Sequence, residues 1–437
     1  MQPTNAGRRN FLKTAGALST ASLLTNLAGC ATAKRPTNVV LIMCDDLGWE
    51  GLSSYGSTVY NTPRLDELAR TGARFNHCYS QPLCTPTRVQ IMTGQYNFRN
   101  YIGFGVLKPG ERTFGHVMQN AGYATLCVGK WQLWGANNAR GFGGKGVWPQ
   151  EAGFDEYCLW QIEERGERYA NPLMYVNKPN PETIEDGYGP DVAANYLCDF
   201  MERKKDQPFF AYYPMILTHN PFVPTPDSPE WNGPDRSKRD NRFFKDEIEY
   251  TDKIVGRIVD KLEVLGLREN TLVMFVGDNG TNKVITSPTN IGPIKGDKGQ
   301  PNDAGTRVPF VVNMPGTVKP GQVLDDLVDL TDFLPTIREA TGAAPLDNMI
   351  QDGQSFLPQL RGEAGSPREA IFCYYNPDWG NFDQIRFARN QRWKLYDDGR
   401  LYDIPADVLE KNPIMSGGGP EAEAARKKLQ PVLDRLQ

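Results

Sequence analysis

Histidine is scarce in this chain, and its scarcity limits the chemistry that the chain can perform. The 437 residues contain three histidines, His77, His116 and His219, and these lie far apart in the sequence. The eight cysteines show neither the paired spacing of a zinc site nor a dense disulfide framework. The sequence therefore disfavours a zinc centre built from imidazole and thiolate ligands, and it disfavours a small fold held by disulfides.

The chain also lacks an excess of positive charge, a low-complexity tract and a repeat of fixed period. Its formal net charge is −4, and residues 1–29 carry three basic residues and no acidic one, so removing them would leave −7. An acidic protein is a poor partner for nucleic acid, and no nucleic-acid-binding function is expected. An anionic substrate would have to be attracted by a local pocket, because the surface as a whole does not attract it.

The N-terminal segment has no apolar run long enough to cross a membrane. The stretch from Thr14 to Ala28 is too short and too weakly apolar for a span. Arg8-Arg9-Asn10-Phe11-Leu12-Lys13 resembles a twin-arginine export signal, and Leu27-Ala28-Gly29-Cys30 resembles a lipoprotein cleavage box. Together they predict export of the folded protein by the twin-arginine machinery and a lipid on Cys30, which is the only attachment to the membrane that we expect. The protein would lie in the bacterial periplasm or at the cell surface. The alternative is a nonspecific amphipathic leader.

Apolar segments without alternation predict strands that are buried on both faces of a sheet. Five such segments begin near residues 39, 124, 209, 272 and 310, and helical segments lie between them. The third is predicted to run from Phe209 to Leu217. This order predicts an α/β fold with a large, mostly parallel sheet and helices on both faces. From about Glu369, short strands and a terminal helix predict a small antiparallel sheet. One of these strands is predicted from Gln384 to Tyr396, and a hairpin turn at Asp397-Asp398-Gly399 joins it to the next. The predicted domains are a signal peptide (1–29), a large α/β domain (30–365) and a small C-terminal subdomain (366–437).

Four of these strands end directly in polar side chains that can perform chemistry. The pairs Asp45-Asp46 and Asp278-Asn279 follow two strands, and Lys130 and His219 follow two others. Open α/β sheets bind ligands beyond the carboxyl ends of their strands, so these groups are expected to meet in one crevice. The two pairs offer only oxygen ligands, which favours Ca²⁺ or Mg²⁺ over zinc. Each group alone can be a solvated turn or a helix cap.

A loop that runs into a short helix, from Pro82 to Gly94, places a cysteine at the mouth of the helix. Pro86 suits the first helical turn and Gly94 suits the position after the last one. Cys84 would therefore lie where unpaired N–H groups and the helix dipole favour an anion, with Arg88 on the same side one turn later. Taken alone, a single cysteine is more often a small buried hydrophobe, and that interpretation stays open.

The segment from Cys84 to Gly94 reads Cys-x-Pro-Thr-Arg, four residues, then Thr-Gly, and it resembles the signature of the type I sulfatases. These are formylglycine-dependent enzymes of the alkaline phosphatase-like superfamily. The commoner form of the signature has Ser where this chain has Thr87. Further matches in the right order cover most of residues 37–310: Gly129-Lys130-Trp131, Thr218-His219-x-Pro221, Asp278-Asn279-Gly280, and Lys298-Gly299 followed by Arg307.

The resemblance implies hydrolysis of an organic sulfate, either a small molecule or, more specifically, a sulfated carbohydrate. A cytoplasmic sulfatase-maturing enzyme would convert Cys84 to formylglycine, and a hydroxyl of the hydrated aldehyde would attack sulfur. The implied cation is Ca²⁺, with Mg²⁺ as the alternative, and its ligands are Asp45, Asp46, Asp278, Asn279 and the modified Cys84. Arg88, Lys130 and Lys298 would neutralise the sulfate oxygens, and His219 would protonate the leaving alcohol. The implied substrate contacts are Lys130, His219, Lys298 and Gln132.

One position departs from the family pattern in a way that bears on mechanism. The family usually has His two residues after the Lys of Gly-Lys-Trp, where this chain has Gln132. An amide can orient a diol by hydrogen bonding, but it cannot act as a base at neutral pH. The base for expulsion of sulfate is therefore unassigned. His77, seven residues before Cys84, either approaches the site or is structural, and His116 is expected to be incidental.

Two other functions remain open from the sequence. A phosphoester or phosphonate hydrolase of the same superfamily would share the fold, although such enzymes tend to carry more metal ligands. A noncatalytic glycan-binding lipoprotein would explain Thr87 and Gln132. Six aromatic residues could form sugar platforms or simply pack in the core: Trp131, Trp134, Trp148, Tyr374, Tyr375 and Trp379.

Overall fold

The computed structural model of this chain describes residues 35–136, 141 and 143–436. The predicted export signal and Cys30 lie outside these residues. The strands are β1 (Asn38–Cys44), β2 (Ala73–Tyr79), β3 (Ala124–Lys130), β4 (Glu156–Trp160), β5 (Leu173–Val176), β6 (Glu182–Thr183), β7 (Phe209–Pro214), β8 (Thr271–Gly277), β9 (Thr286–Thr289), β10 (Gly292–Lys295), β11 (Arg307–Val308), β12 (Phe310–Asn313), β13 (Gln322–Asp329), β14 (Ile371–Tyr375), β15 (Ile385–Arg389), β16 (Trp393–Tyr396) and β17 (Leu401–Asp403).

The helices alternate with these strands through most of the chain. They are α1 (Pro63–Thr71), α2 (Cys84–Thr93), α3 (Asn97–Asn100), α4 (Phe114–Asn120), α5 (Gly189–Arg203), α6 (Phe243–Val264), α7 (Asp303–Thr306), α8 (Phe333–Thr341), α9 (Leu357–Leu360) and α10 (Gly419–Arg435). Short 3₁₀ turns add Trp49–Gly51, Ser53–Tyr55, Gln150–Ala152, Pro229–Asn232, Arg268–Asn270 and Leu330–Asp332. Among the described residues, none of these helices combines the length and the apolar character that a membrane span requires.

A large mixed sheet organises the fold. Its strands lie in the order β11-β2-β12-β8-β1-β7-β3-β4-β5-β6, and β13 pairs with β2. The central strands β8, β1, β7, β3 and β4 are parallel. Strand β12 runs antiparallel to both β8 and β2, because the chain returns to it through a hairpin and loops rather than through a crossover helix. The predicted α/β architecture is confirmed, and its parallel part is the centre of the sheet.

Strand β1 explains why the buried strands show no alternation. All of its residues from Val39 to Cys44 are fully buried. Val40 and Ile42 face one apolar core, which includes residues of the long helix α6, and Leu41 and Met43 face the other. A strand with helices on both of its faces must be apolar at every position.

The C-terminal region forms a separate antiparallel sheet, β14-β15-β16-β17, within the same compact unit as the large sheet. The predicted turn at residues 397–399 joins β16 to β17, as expected. The segment from residue 384 to 396, however, is two strands rather than one. Between them the Asn390 side chain accepts N–H bonds from Arg392 and Trp393, a local pattern that turns the chain.

Candidate active site

Helix α2 begins at Cys84, as the sequence indicated, and every residue of the helix is buried. Pro86 is its third residue, where a missing N–H costs nothing. Gly94 ends the helix with φ 66° and donates its N–H to the Gln90 carbonyl. Cys84 is 1% exposed, and its thiol donates to Gln132 Oε1 at 3.1 Å. Burial raises the pKa of Cys84, so the unmodified thiol is protonated at neutral pH.

The four strand ends named from the sequence converge beside Cys84. Backbone hydrogen bonds fix them to one another: Asp45 donates to the Leu217 carbonyl at 2.8 Å, and Asp278 donates to the Cys44 carbonyl at 2.9 Å. Asp46 and Gln132 both adopt left-handed backbone, with φ 61° and φ 55°. Non-glycine residues rarely adopt this conformation, and strained backbone of this kind can cluster at active sites.

A fully buried carboxylate cluster lies behind Cys84. The Asp46 N–H donates to Asp278 Oδ1 at 3.0 Å, and the Asn279 amide donates to Asp46 Oδ1 at 2.8 Å. Asp45 Oδ1 and Asn279 Oδ1 are buried and accept no hydrogen bond. Ligand atoms of Asp45, Cys84 and Asp278 lie within 4.8 Å of one another. Unpartnered buried oxygens in a set of three carboxylates and one amide fit a hard divalent cation.

Three basic side chains are bonded to this cluster. Lys130 Nζ lies 2.6 Å from Asp45 Oδ2, Lys298 Nζ donates to Asp46 Oδ2 at 2.7 Å, and Arg88 donates to Asp278 Oδ2 at 3.3 Å. Burial disfavours the charged form of Asp45, but Lys130 and the other neighbouring cations outweigh it and hold the pKa of Asp45 below its usual range. Burial and the Asp45 charge raise the pKa of Asp278 well above its usual value. The neighbouring cations thus dominate at Asp45, whereas burial dominates at Asp278.

His219 presents one ring nitrogen to the site. Its Nδ1 lies 2.6 Å from the Asn220 carbonyl, which can only accept, so Nδ1 carries a proton. Nε2 lies 3.8 Å from Asp46 Oδ2. The Tyr169 hydroxyl and the Arg168 guanidinium hold the two carbonyls of this segment, those of His219 and Asn220. Burial and the Lys298 charge lower the pKa of His219 well below its usual value.

A cavity of about 680 Å³ opens onto these residues. Of the predicted site residues, Cys84, Lys130, Gln132, His219 and Lys298 line it. Arg88 and the four candidate metal ligands lie behind that lining and are buried. The structure thus brings together every site residue proposed from the sequence within its described part.

The two remaining histidines lie elsewhere. His77 is on β2, where its Nδ1 lies 3.1 Å from the Tyr79 hydroxyl. His116 accepts the N–H of Thr113 and completes a capping box at the start of α4. Neither lines the cavity. His77 therefore does not supply a base to the site, and the base for expulsion of sulfate stays unassigned.

Sequence reasoning missed part of the cavity lining. Trp160, Gln161, Arg165 and Arg168 come from the end of β4 and the segment after it. Strand β4 shows the same signal as the others, an apolar run that ends at polar residues. Trp379 is the one residue among the six candidate platform aromatics that lines the cavity. Trp131 and Tyr375 are buried in cores, and Trp134, Trp148 and Tyr374 pack partly buried against them.

The small C-terminal sheet holds the segment that carries Lys298. The Tyr375 hydroxyl of β14 donates to the Gly299 carbonyl at 3.2 Å. Arg389 of β15 pairs with Asp303, and Lys394 of β16 donates to the Pro301 carbonyl. Each of these three strands therefore contributes a contact to residues 299–303.

Comparisons with known proteins agree with this geometry. A family model described as Sulfatase matches residues 37–343, and one described as N-sulphoglucosamine sulphohydrolase, C-terminal, matches residues 297–437. Arylsulfatase A of Homo sapiens is 32% identical over 393 residues, which cover 81% of this chain and 73% of that protein. N-acetylgalactosamine-6-sulfatase of Canis lupus familiaris is 28% identical and covers 80% of this chain and 70% of its own length.

Solved structures support the fold. The crystal structure of Ps i-CgsB superposes with a TM-score of 0.73 at 23% identity and covers 90% of this chain and 92% of its own. The phosphonate monoester hydrolase of Agrobacterium radiobacter superposes with a TM-score of 0.68 at 19% identity, over 92% and 95% of the two chains. The predicted alkaline phosphatase-like fold is confirmed. With a sulfatase model matching most of the chain, this protein belongs to the sulfatase family and is a sulfuric ester hydrolase.

Proposed function

We propose that this protein removes sulfate from a sulfated carbohydrate, using formylglycine made from Cys84 and a bound divalent cation. The observation that supports the proposal is the surroundings of Cys84. Its sulfur lies with the Asp45 and Asp278 carboxylates, all within 4.8 Å, at the start of a buried helix. A helix N-terminus, basic side chains and a candidate cation site together suit the oxygens of a sulfate group.

Asp45, Asp46, Asp278 and Asn279 would hold Ca²⁺, with Mg²⁺ as the alternative, and the oxygen of the modified Cys84 would complete the set. A bound cation would supply positive charge against the sulfate oxygens and make a neighbouring hydroxyl more acidic. Asp45 Oδ1 and Asn279 Oδ1, which have no hydrogen-bond partner among the described residues, are the oxygens best suited to coordinate the cation.

The remaining residues have separable roles in the proposed reaction. Lys130 and Lys298 line the cavity and would bind sulfate oxygens, and Arg88 would add charge from behind them. The hydrated aldehyde of residue 84 would supply the attacking oxygen. His219 would act as the acid in its doubly protonated form, giving the Nε2 proton to the leaving alcohol while Nδ1 stays bonded to the Asn220 carbonyl. The negative charge of a bound sulfate would favour that form against the lowered pKa of His219. Gln132, whose Oε1 accepts a hydrogen bond from the unmodified Cys84 thiol, would orient the hydrate.

The direct test is the mass of the tryptic peptide from Phe75 to Arg88, from protein produced together with a sulfatase-maturing enzyme. Conversion replaces sulfur with oxygen and removes two hydrogens at Cys84, and Cys78 in the same peptide is the unmodified control. The same preparation should release sulfate, and Cys84→Ala should abolish release while leaving the fold intact. An unmodified thiol in protein that still turns over would refute the formylglycine part of the proposal.

Comparing kcat/KM for sulfate and phosphate monoesters on one preparation distinguishes the proposed sulfatase from the phosphoester hydrolase alternative. Faster hydrolysis of the phosphate ester would favour that alternative. Tight binding of a sulfated sugar without sulfate release, in protein shown to carry formylglycine, would favour the noncatalytic glycan-binding alternative. The proposal expects sulfate release at the higher kcat/KM.

We further propose that maturation occurs in the cytoplasm, that the twin-arginine machinery then exports the protein, and that a lipid on Cys30 anchors it to the membrane. The sequence motifs before residue 31 support this order. Cys30→Ser should move the protein from the membrane fraction to the soluble fraction. An unchanged distribution would refute the anchor.

A further inference from the structure

One wall of the cavity is aromatic and is built from two distant parts of the chain. The ring centroids of Phe104 and Trp379 lie 4.8 Å apart with planes 21° apart, and those of Trp379 and Phe382 lie 6.2 Å apart with planes 20° apart. All three residues line the cavity, and Trp379 is 46% exposed. Rings that support one another lose little freedom on binding, and they offer an apolar surface to the C–H face of a sugar ring.

Two cations in the lining have no partner within the part of the chain that the structure describes. Arg165 and Lys283 line the cavity and are exposed, and neither side chain pairs with another described residue. The other basic residues of the lining are occupied: Lys130 with Asp45, Lys298 with Asp46, and Arg168 with the Asn220 carbonyl and the face of Trp160. Arg165 and Lys283 are therefore available to a ligand.

These two cations are more exposed than the residue beside which sulfate would react. Cys84 is 1% exposed, whereas Arg165 and Lys283 are exposed. Asp378 is the acidic residue among the lining residues, so the cavity is locally cationic although the chain has a formal charge of −4. Exposed charges act over about 10 Å at 0.1 M salt, so this local field can select a ligand that the whole surface does not attract.

We propose that Arg165 and Lys283 bind a second anionic group of the substrate, a sulfate or a carboxylate, on the sugar beyond the scissile sulfate. The apolar face of that part of the substrate packs against the wall formed by Phe104, Trp379 and Phe382. The substrate class is thus a polyanionic oligosaccharide rather than a singly sulfated neutral sugar. This inference rests on the proposed function, since it assigns the outer part of the same substrate.

The test measures kcat/KM for sulfate release by the matured, full-length protein on four substrates: an activated aryl sulfate and three disaccharides. The disaccharides share one scissile sulfate and differ in the second group, which is neutral, a sulfate or a carboxylate. The variants are Arg165→Gln, Lys283→Gln and Trp379→Ala. Lys427→Gln is the matched control, because Lys427 is an exposed cation on α10 that does not line the cavity.

Wild-type protein should prefer a disaccharide with a second anion over the neutral one by about tenfold or more, and the preference should fall as salt rises. Arg165→Gln and Lys283→Gln should each reduce this ratio roughly threefold to tenfold, and Lys427→Gln should leave it unchanged. Trp379→Ala should lower kcat/KM on all three disaccharides more than on the aryl sulfate. The second sulfate and the carboxylate, compared with each other, identify which anion is bound.

Three outcomes would overturn the inference. One is sulfate release by wild-type protein without preference for a second anion, and another is a preference that survives both charge-removing variants. A third is equal loss on every substrate, which would mean that the two cations act only on the scissile group. Absence of sulfate release even from the aryl sulfate would instead overturn the proposed function, and this inference with it.

Discussion

At the scale of single residues, each of the three basic side chains beside the carboxylate cluster is bonded to a buried acid. Lys130 pairs with Asp45, Lys298 with Asp46 and Arg88 with Asp278. Removing one member would leave an uncompensated buried charge, which typically costs about 3 to 5 kcal/mol of stability. Loss of activity in such variants would therefore mix chemistry with folding. His219 is a better probe of the reaction, because its Nε2 lies 3.8 Å from Asp46 Oδ2, beyond hydrogen-bond distance.

His219→Ala should reduce hydrolysis of sugar sulfates more than hydrolysis of activated aryl sulfates. A poor leaving group needs a proton in the transition state, and general acids typically contribute about 10² to 10⁴ in rate. The measurement is kcat/KM for both classes with wild-type and variant protein. Equal losses on both classes would remove His219 from the role of acid.

His77 should contribute to loss of stability in acid. Burial, with Arg307 and Arg389, lowers the pKa of His77 to about 4, whereas an unfolded chain takes up this proton near pH 6.5. A lowered pKa gives stability that is complete above the unfolded value and is lost as pH falls toward the folded one. Between about pH 7 and about pH 5, wild type should lose on the order of 1 kcal/mol through this residue.

Urea unfolding of wild type and His77→Gln at both pH values measures this contribution. The variant should lose less stability than wild type over the same interval, because Gln does not titrate. Equal acid sensitivity of the two proteins would contradict the prediction.

Sequence reasoning located the inner residues of the site because of their place at strand ends. Asp45-Asp46, Lys130 and Asp278-Asn279 directly follow buried strands, and parallel strands bring such ends to one edge. Arg165 and Lys283 carry no such signal. They lie in connecting segments, and the path of those segments depends on packing between distant parts of the chain.

At the scale of elements, the close packing of strand β3 against β7 requires a glycine at position 129. Gly129 has φ 106°, and a Cβ there would lie 2.1 Å from the Pro214 carbonyl oxygen on the adjacent strand β7. No side chain can occupy that space without moving the backbone. The next residue is Lys130, so a shift of β3 would also move a cavity-lining amine.

Gly129→Ala should destabilise the protein by at least about 2 kcal/mol, since the strain of positive φ is added to a steric clash. Gly122→Ala is the matched control: Gly122 has φ 81°, but nothing lies within 4 Å of its Cβ position. That variant should cost only about 1 kcal/mol. Chemical denaturation measures both, and a cost at Gly129 no larger than at Gly122 would contradict the argument.

Some element boundaries followed from local chemistry, and others did not. The segment predicted as one strand from residue 209 to 217 ends as strand at Pro214, since proline lacks the N–H that the sheet needs. Asn390 divides another predicted strand into β15 and β16 through its side-chain bonds. The antiparallel direction of β12 was not predictable, because it depends on how the long segment after β8 returns to the sheet.

At the scale of the whole molecule, the C-terminal sheet is joined to the catalytic part by a buried ion pair. Arg389 is 1% exposed, contacts Asp303, and lies over the Tyr79 ring at 3.8 Å from its centroid. Arg392, in the turn between β15 and β16, pairs with Asp403 at 2.7 Å but is 47% exposed. The two arginines therefore allow a buried ion pair to be compared with an exposed one in the same region of the protein.

Arg389→Met should cost about 3 to 5 kcal/mol, because Asp303 would remain buried without its partner. Arg392→Met should cost about 1 kcal/mol or less. The double variant Arg389→Met, Asp303→Leu should recover part of the loss. Denaturation midpoints measure all three, and similar costs for the two single variants would contradict a structural role for the buried pair.

The burial of Cys84 determines whether its enzymatic modification can follow folding or must precede it. A side chain that is 1% exposed, on a helix whose residues are all buried, cannot enter the catalytic centre of another enzyme. Any enzyme that oxidises Cys84 must therefore meet the chain before it closes around α2. If activity requires formylglycine at position 84, as proposed, chains that fold before they are modified would remain inactive although they reach the native fold.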